Sequence, residues 1–367
     1  MDNVPIWDTP GWASLPALRC AVTADVCVVG LGGSGLACID ELLTLGASVV
    51  GLDAGAVAGG GAGRNGGFLL AGGAAFYHDA VARHGREASR ALYAETLGEM
   101  RRMQRETPDA IRRCGTLRIA ADDVERADCA AQLAAMRADD LPAEPYSGPE
   151  GDGLLFPADG AFNPLLRCRT LALHAIGRGA RLYEHSRALT IAGGRVTTAA
   201  GEVRCRAVVV AVDGGLELIL PELSGEVRSA RLQMLACAPT DAIRVARPVY
   251  ARYGYTYWQQ LADGSIAIGG FRDLDEAAEW TCDPTPTATV QRHIERFLRD
   301  DLGVAAPITH RWGATVSYTA DGLPLLREVR PGVVAVGAYS GTGNVVGALF
   351  GRRAARLALT SCAGDAA

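Results

Sequence analysis

The sequence predicts an α/β protein in two interleaved parts, one built on a parallel sheet and the other on a mostly antiparallel sheet. Three observations predict it. The first is Val26-Cys-Val-Val-Gly30-Leu-Gly32-Gly33-Ser34-Gly35, followed by a second apolar run that ends in Asp53. The second is the return of short apolar runs far along the chain, at Ala207-Val-Val-Val-Ala-Val212 and Val333-Val-Ala-Val-Gly337. The third is a stretch of alternating segments between residues 231 and 280.

The first observation carries the most chemistry. Val26, Val28 and Val29 make a buried strand, and Gly30 permits the tight turn out of it. Gly32 lets backbone approach a pyrophosphate, Gly33 and Ser34 open a helix whose N–H groups face phosphate, and Gly35 lets that helix touch the sheet. Val49, Val50 and Leu52 form the next strand. Asp53 then follows at about the ~20-residue spacing of a ribose-binding acid. Gly-x-Gly-x-x-Gly alone arises by chance in a chain with 45 glycines. Strand, turn, helix, strand and acid in order make it a Rossmann-like βαβ unit, which suits NAD as well as FAD. Asp40 and Glu41 fall mid-helix, where the pattern prefers small or apolar residues, and are expected on the solvent face.

The remaining elements follow in chain order. Ala54 to Phe68 is too glycine-rich for regular structure and reads as a close-approach loop. Residues 79–106 form an amphipathic helix pair and 122–138 a further helix, broken by prolines and glycines from Asp139 to Gly153. A helix enters through Asn163-Pro164 and ends at Gly177 and Gly179. Segments 181–184, 188–192, 195–199 and 202–205 read as a strand plus a meander. Ala207–Val212 reads as a buried parallel strand. Segments 230–238, 249–260 and 265–270 suggest the antiparallel sheet, closed by a helix near 287–302. Val333–Gly337 runs into Tyr339-Ser-Gly341-Thr342-Gly343-Asn344 and a last apolar helix.

Composition sets limits. Net charge is −5 with no basic tract, so the chain carries no footprint for nucleic acid. No apolar run reaches the ~20 residues needed to span a bilayer. The first residues lack the pattern of a secretory signal, which makes the cytoplasm the expected location. Ten cysteines and six histidines show no metal spacing, and no metal is expected. All 36 basic residues are arginine. Schiff-base chemistry and a lysine ammonium near a cofactor are thereby excluded.

Five separated stretches resemble one family over nearly the whole chain: Gly30–Gly35, Gly63-Arg64-Asn65-Gly66-Gly67, Tyr183-Glu-His185, Val208–Leu223 and Ser340-Gly-Thr-Gly343. Together they resemble the D-amino-acid oxidase and glycine oxidase superfamily of FAD-dependent oxidoreductases. Arg64–Gly67, Leu220–Leu223 and Arg311–Gly313 look most like its γ-glutamylputrescine oxidase branch. The resemblance selects FAD and implies a glutathione-reductase-like FAD fold, with FAD extended between two domains. The FAD-binding domain would comprise 1–85, 150–230 and 310–367, and the substrate-binding domain 86–149 and 231–309. Cofactor contacts would come from Gly30, Gly32, Gly33, Ser34, Gly35, Asp53, Ala54 and Gly63. The loop Arg64, Asn65, Gly66, Gly67 and Phe68 would run beside the flavin, Ala188 on the adenine side, and Gly341, Thr342, Gly343 and Asn344 at the pyrimidine edge. Arg64 is open to a second reading, as a clasp on the pyrophosphate.

Departures matter as much. Val316 stands where glycine oxidases carry a carboxylate-binding arginine and where sarcosine oxidases carry a flavin-linking cysteine, so FAD is expected to be non-covalent. Tyr253, Tyr255 and Tyr257 fall at period two in Val249–Gln260, so one strand face would present three phenols and Trp258 the other face. That face reads either as packing or as a pocket for an amine. Arg252, Arg272 and Arg311 are candidate anion anchors, and Trp312 and Tyr339 further pocket candidates. No residue stands out as a general base. The expected function is oxidation of a C–N bond in a small amine or amino acid to an imine, by hydride transfer to flavin N5. Oxygen or another acceptor would then reoxidise the flavin. An NAD-dependent dehydrogenase and a non-catalytic flavoprotein subunit of a larger dehydrogenase are the alternatives.

Overall fold

The computed structural model describes residues 3–8 and 10–364. They divide into two units: one is formed by residues up to Asp8, Arg64–Asn163 and Ala230–Thr315, the other by residues 10–63, Pro164–Ser229 and those from Val316 on.

The second unit is built on a six-stranded sheet. Its order is Arg181–Tyr183, Val49–Leu52, Val26–Val29, Ala207–Val210, Val333–Gly337 and Leu325–Arg330. The first five strands run parallel and the last closes antiparallel. Four central strands are buried at nearly every position, which is why they read as unbroken apolar runs. Cys27, Val29, Val50, Leu52, Val208 and Val210 pack with Val196 and Val203 of the meander. The glycine-motif helix Gly33–Thr44 packs against helices Pro164–Gly177 and Val345–Gly364.

That crowding corrects the expectation for Asp40 and Glu41. Glu41 is only 4% exposed and receives Arg356 Nε at 3.0 Å and Nη2 at 2.9 Å. Asp40 receives Arg352 Nη1 at 2.8 Å and also pairs with Arg178. With neighbouring helices on two sides, Glu41 is turned from water onto an arginine, while Asp40 stays half-buried between two arginines. A buried charge without such a partner costs several kcal/mol (~3–5).

The first unit carries an eight-stranded sheet in the order Ile308–Thr319, Val227–Cys237, Ile266–Gly270, Thr256–Gln260, Val249–Ala251, Thr116–Ile119, Gly151–Phe156 and Glu144–Gly148. The pair Val249–Ala251 and Thr116–Ile119 is parallel, set among antiparallel neighbours. One face sends Leu117, Leu235, Val249, Trp258, Ile266 and Ile268 into a core with Val290, Ile294 and Leu298. The hairpin formed by Glu144–Gly148 and Gly151–Phe156 lies where prolines and glycines suggested only a break. Pro145 is tolerated there because its strand is the sheet edge and needs no inward N–H from it.

The expected strand Val249–Gln260 is not continuous, and this corrects the three-tyrosine face. Arg252 (φ 52°), Tyr253 (φ 57°) and Gly254 (φ 87°) take left-handed conformations and turn the chain between two short strands. The buried Glu125 carboxylate holds the turn, accepting from Arg252 N at 3.1 Å and Tyr253 N at 2.8 Å. Tyr253 is therefore 50% exposed, with its hydroxyl donating to Asp128. Tyr257 remains on the sheet, level with Tyr250 and, one strand on, Arg118.

No helix among the described residues is long and apolar enough to cross a membrane.

Candidate functional site

Gly30 leaves its strand at φ 103°, and a Cβ there would stand 2.6 Å from the Ala211 carbonyl oxygen. A Cβ at Gly35 would stand 1.9 Å from the Gly30 carbonyl oxygen. The turn is thus compressed directly into the helix, as only glycine allows. Gly32 caps that helix without a side-chain hydrogen bond, and its first turn holds no acid. The opening N–H groups and the dipole's positive end therefore remain for an anion. At Gly33 a Cβ would meet nothing within 4 Å.

Asp53 sits over this turn. Its carboxylate accepts from Leu31 N at 2.8 Å and Gly55 N at 2.9 Å, and burial raises its pKa against those two bonds. Behind it, the fully buried Glu184 accepts from Trp12 Nε1, Ser14 Oγ, Leu15 N and Val57 N at 2.6–2.9 Å. Burial opposes its ionisation, yet these donors hold the carboxyl below the ordinary glutamate range. Gly63 closes against Ala58, where a Cβ would stand 2.3 Å from the carbonyl oxygen, and half-buried Ala188 packs on the sheet core. Ala54 is exposed beside Asp53.

The late turn belongs to the same unit. Ala338 (φ 55°), Ser340 (φ 51°) and Gly341 (φ 87°) are left-handed, at a cost of ~1–2 kcal/mol for each non-glycine residue. Outliers of this kind gather at ligand sites. Ser340 N donates to the Ser317 carbonyl at 3.1 Å, and Thr342 N and Oγ1 both donate to the Tyr339 carbonyl. Tyr339, a pocket candidate, is 3% exposed, and a Cβ at Gly343 would come 3.0 Å from its ring. Ser340 Oγ is buried with no hydrogen-bond partner. Asn344 leads into the helix Val345–Gly364. An uncapped helix start, an acid after the second strand and a strained turn with an orphaned hydroxyl suit a dinucleotide's phosphates, ribose and ring edge.

The other unit holds Arg64–Phe68, where regular structure enters the expected loop: Gly61–Arg64 forms a helical turn and Phe68–Leu69 a short strand. Three successive carbonyls are each captured by a side chain: Arg64 O by Trp312 Nε1 (2.8 Å), Asn65 O by Trp7 Nε1 (2.8 Å) and Gly66 O by Gln259 Nε2. Gly67 takes φ 70°, and its N–H donates to Asn65 Oδ1 at 2.9 Å. The Arg64 guanidinium is committed to the carbonyls of Gly313 and Asn3, each at 2.8 Å. Phe68 meets Tyr257 edge-on, with ring centroids 5.9 Å apart. Tyr257 lies against Gly66 and Gly269, where a Cβ would approach its ring to 3.2 Å and 2.4 Å.

The candidate anion anchors have partners of their own. Arg252 pairs with Asp273 and lies 5.1 Å from the Phe271 ring centre. Arg272 lies over Tyr255 at 5.2 Å and Trp280 at 5.3 Å. Arg311 donates to Gln291 and pairs with Glu295. Trp312 is wholly buried and serves the loop as a strut.

The candidates thus divide between units. Gly30, Gly32, Gly33, Ser34, Gly35, Asp53, Ala54, Gly63, Ala188 and Tyr339 to Asn344 lie in one. Arg64 to Phe68, Arg252, Tyr253, Tyr255, Tyr257, Arg272 and Trp312 lie in the other. Sequence reasoning gave no role to Glu184, Asp213, Gln259 or Trp7. Glu184 and Asp213 fall within the stretches Tyr183–His185 and Val208–Leu223 that carry the family resemblance, and each is a polar residue at the end of an apolar strand, but nothing in the sequence singled out their side chains.

A family model described as FAD dependent oxidoreductase (DAO) matches residues 25–357. "Probable oxidoreductase OrdL" of Rhizobium meliloti (strain 1021) is 29% identical over 211 residues, which are 54% of this chain and 47% of that relative. The matched stretch therefore spans about half that relative's length. Among solved structures, glycine oxidase from Geobacillus kaustophilus aligns with TM-score 0.76 at 19% identity, over 92% of this chain and 95% of that one. L-proline dehydrogenase from P. horikoshii aligns with TM-score 0.74 at 18% identity, over 94% of each chain. At such identities the likeness is one of fold.

Proposed function

We propose, for a chain that belongs to the DAO family of FAD-dependent oxidoreductases and takes FAD as its cofactor, that it oxidises a C–N bond of a small amine or amino acid. Within the family, Arg64–Gly67, Leu220–Leu223 and Arg311–Gly313 favour the γ-glutamylputrescine oxidase branch. The observation that supports the cofactor half of the reading is the cradle: an uncapped helix start at Gly32 with open space at Gly33, under an acid at Asp53.

When bound, FAD supplies the two-electron acceptor for hydride from the carbon beside the substrate nitrogen. The chain supplies orientation and charge. Gly32 to Gly35 and Asp53 would hold the dinucleotide, and the turn Gly341 to Asn344, whose Thr342 N–H is committed to the Tyr339 carbonyl, would lie at the flavin's pyrimidine edge and offer it the remaining backbone N–H groups. Captured carbonyls hold the loop Arg64–Phe68 rigid. Tyr257 offers an aromatic ring to an amine, whereas the Tyr255 face is covered by Arg272, and no side chain acts as base because a neutral amine needs none.

Substrate class follows from Val316. Valine gives an α-carboxylate no partner, and Arg252, Arg272 and Arg311 are engaged with groups of their own. Amines with apolar or extended substituents are therefore the preferred substrates. The test is an anaerobic screen of the yellow holoprotein with amines and amino acids, following the flavin band. Bleaching by extended amines, faster than by glycine or sarcosine, supports the reading. Rapid bleaching by glycine, lost on replacing Arg252 or Arg272, reverses the preference. No bleaching by any amine or amino acid removes the C–N assignment.

A further inference from the structure

A polar cluster under the late turn is unused by the chemistry proposed above. Asp213 follows the strand Ala207–Val210, and its carboxylate receives Ser317 N and Tyr339 N, each at 3.3 Å. Ser317 Oγ donates to the Asp213 carbonyl at 2.5 Å and meets Ser229 Oγ at 2.8 Å. Ser229 in turn donates its N–H and hydroxyl to Glu217. Two carboxylates thus flank a pair of buried serines, and among the described residues no arginine or histidine pairs with Asp213. Burial pushes the Asp213 carboxyl up to about 6, while N–H groups of Tyr339, Ser317 and Ala338 pull it down and Glu217 pushes it further up.

Two of those three N–H groups begin the strained turn. Ala338 and Ser340 are left-handed without being glycine, so something must over-determine their conformation. The Asp213 carboxylate and the Ser317 carbonyl are the acceptors in place to do so.

We propose that Asp213 is a positioning residue for the cofactor: it clamps the turn Ala338–Gly341 in the shape that receives FAD, and its fixed negative charge lowers the flavin's reduction potential. The inference rests on reading that turn as part of the FAD site. A carboxylate without a counter-cation disfavours added electrons nearby. Removing the charge while keeping the side chain's shape makes reduction easier.

The experiment compares wild-type and Asp213→Asn holoprotein at pH 8, where the wild-type carboxyl is ionised. Midpoint potential is read spectroscopically against reference dyes at saturating FAD, and FAD content after gel filtration is read in parallel. The expected result is a more positive potential together with weaker retention of FAD. Full retention with an unchanged potential overturns the inference and leaves the FAD site standing. The site itself is tested separately by Gly32→Val. If Asp213→Asn does not fold or takes up no FAD, Asp213→Asn/Ala338→Gly decides, because glycine adopts the left-handed conformation without the clamp. That double variant must then yield holoprotein with the raised potential, and failure to recover it overturns the inference.

Discussion

Replacing Gly32 by valine separates cofactor binding from folding. Gly32 has φ −86° and ψ −171°, extended backbone that any residue adopts. A Cβ there would meet only the Ala62 Cβ, at 3.1 Å, so the fold need give by a few tenths of an ångström. The cost to the FAD-free protein is about 1 kcal/mol, the low end of overpacking. Against FAD the same methyls stand where backbone must approach pyrophosphate. Losing two charge-assisted hydrogen bonds, at roughly 1.5–3 kcal/mol each, removes about 3–6 kcal/mol. At 1.4 kcal/mol per tenfold, that is on the order of a hundredfold to ten-thousandfold in Kd. The assay is FAD content per chain after gel filtration, with the thermal midpoint of the FAD-free form beside it. Gly98→Ala, inside the helix Arg86–Glu106 and away from the cradle, is the control, since its Cβ meets only the tip of Arg101 at 3.9 Å and alanine in a helix gains about 0.4–1 kcal/mol. A Gly32→Val protein that keeps a full equivalent of FAD refutes the proposed cradle.

Glu184→Gln strands two of the four donors that the carboxylate satisfies, costing about 3 kcal/mol at roughly 1–3 kcal/mol per orphaned group. Because the folded-state pKa is depressed, this stability is complete above the unfolded glutamate value and fades as pH falls through the folded one. The Tm gap between wild type and variant should therefore be full at pH 7 and close in acid; a gap constant to pH 3 contradicts it. Acid precipitation should leave all FAD in the supernatant, since valine at position 316 forms no thioether; mass spectrometry of the pellet detects any flavin-bearing peptide. Reoxidation by oxygen should be slow relative to a quinone acceptor, because no lysine stands by to stabilise negative charge on oxygen. Stopped-flow mixing with air-saturated buffer reads it, and a rate matching turnover counts against the expectation.

What the sequence determined by itself was local and periodic. The strand, glycine turn, helix, strand and acid from Val26 to Asp53 are dictated by sterics within a few residues, so they were legible without a partner in view. The buried strands Ala207–Val210 and Val333–Gly337 were legible for a related reason, since a strand covered on both faces must be apolar throughout. Only the tertiary structure decided what polar groups far apart in the chain do for one another. Glu125 bends the tyrosine strand from 127 residues away, and Arg356 turns Glu41 from a surface acid into a buried partner across 315. Trp7, Trp312 and Gln259 capture consecutive carbonyls of a loop they are distant from in sequence. A hydrogen bond is satisfied by whichever group arrives at about 3 Å, and no spacing in the chain encodes which one that is. Apolar periodicity is therefore readable in one dimension, whereas the commitment of Arg64, Trp312 and Asp213 becomes visible only once the chain has closed on itself.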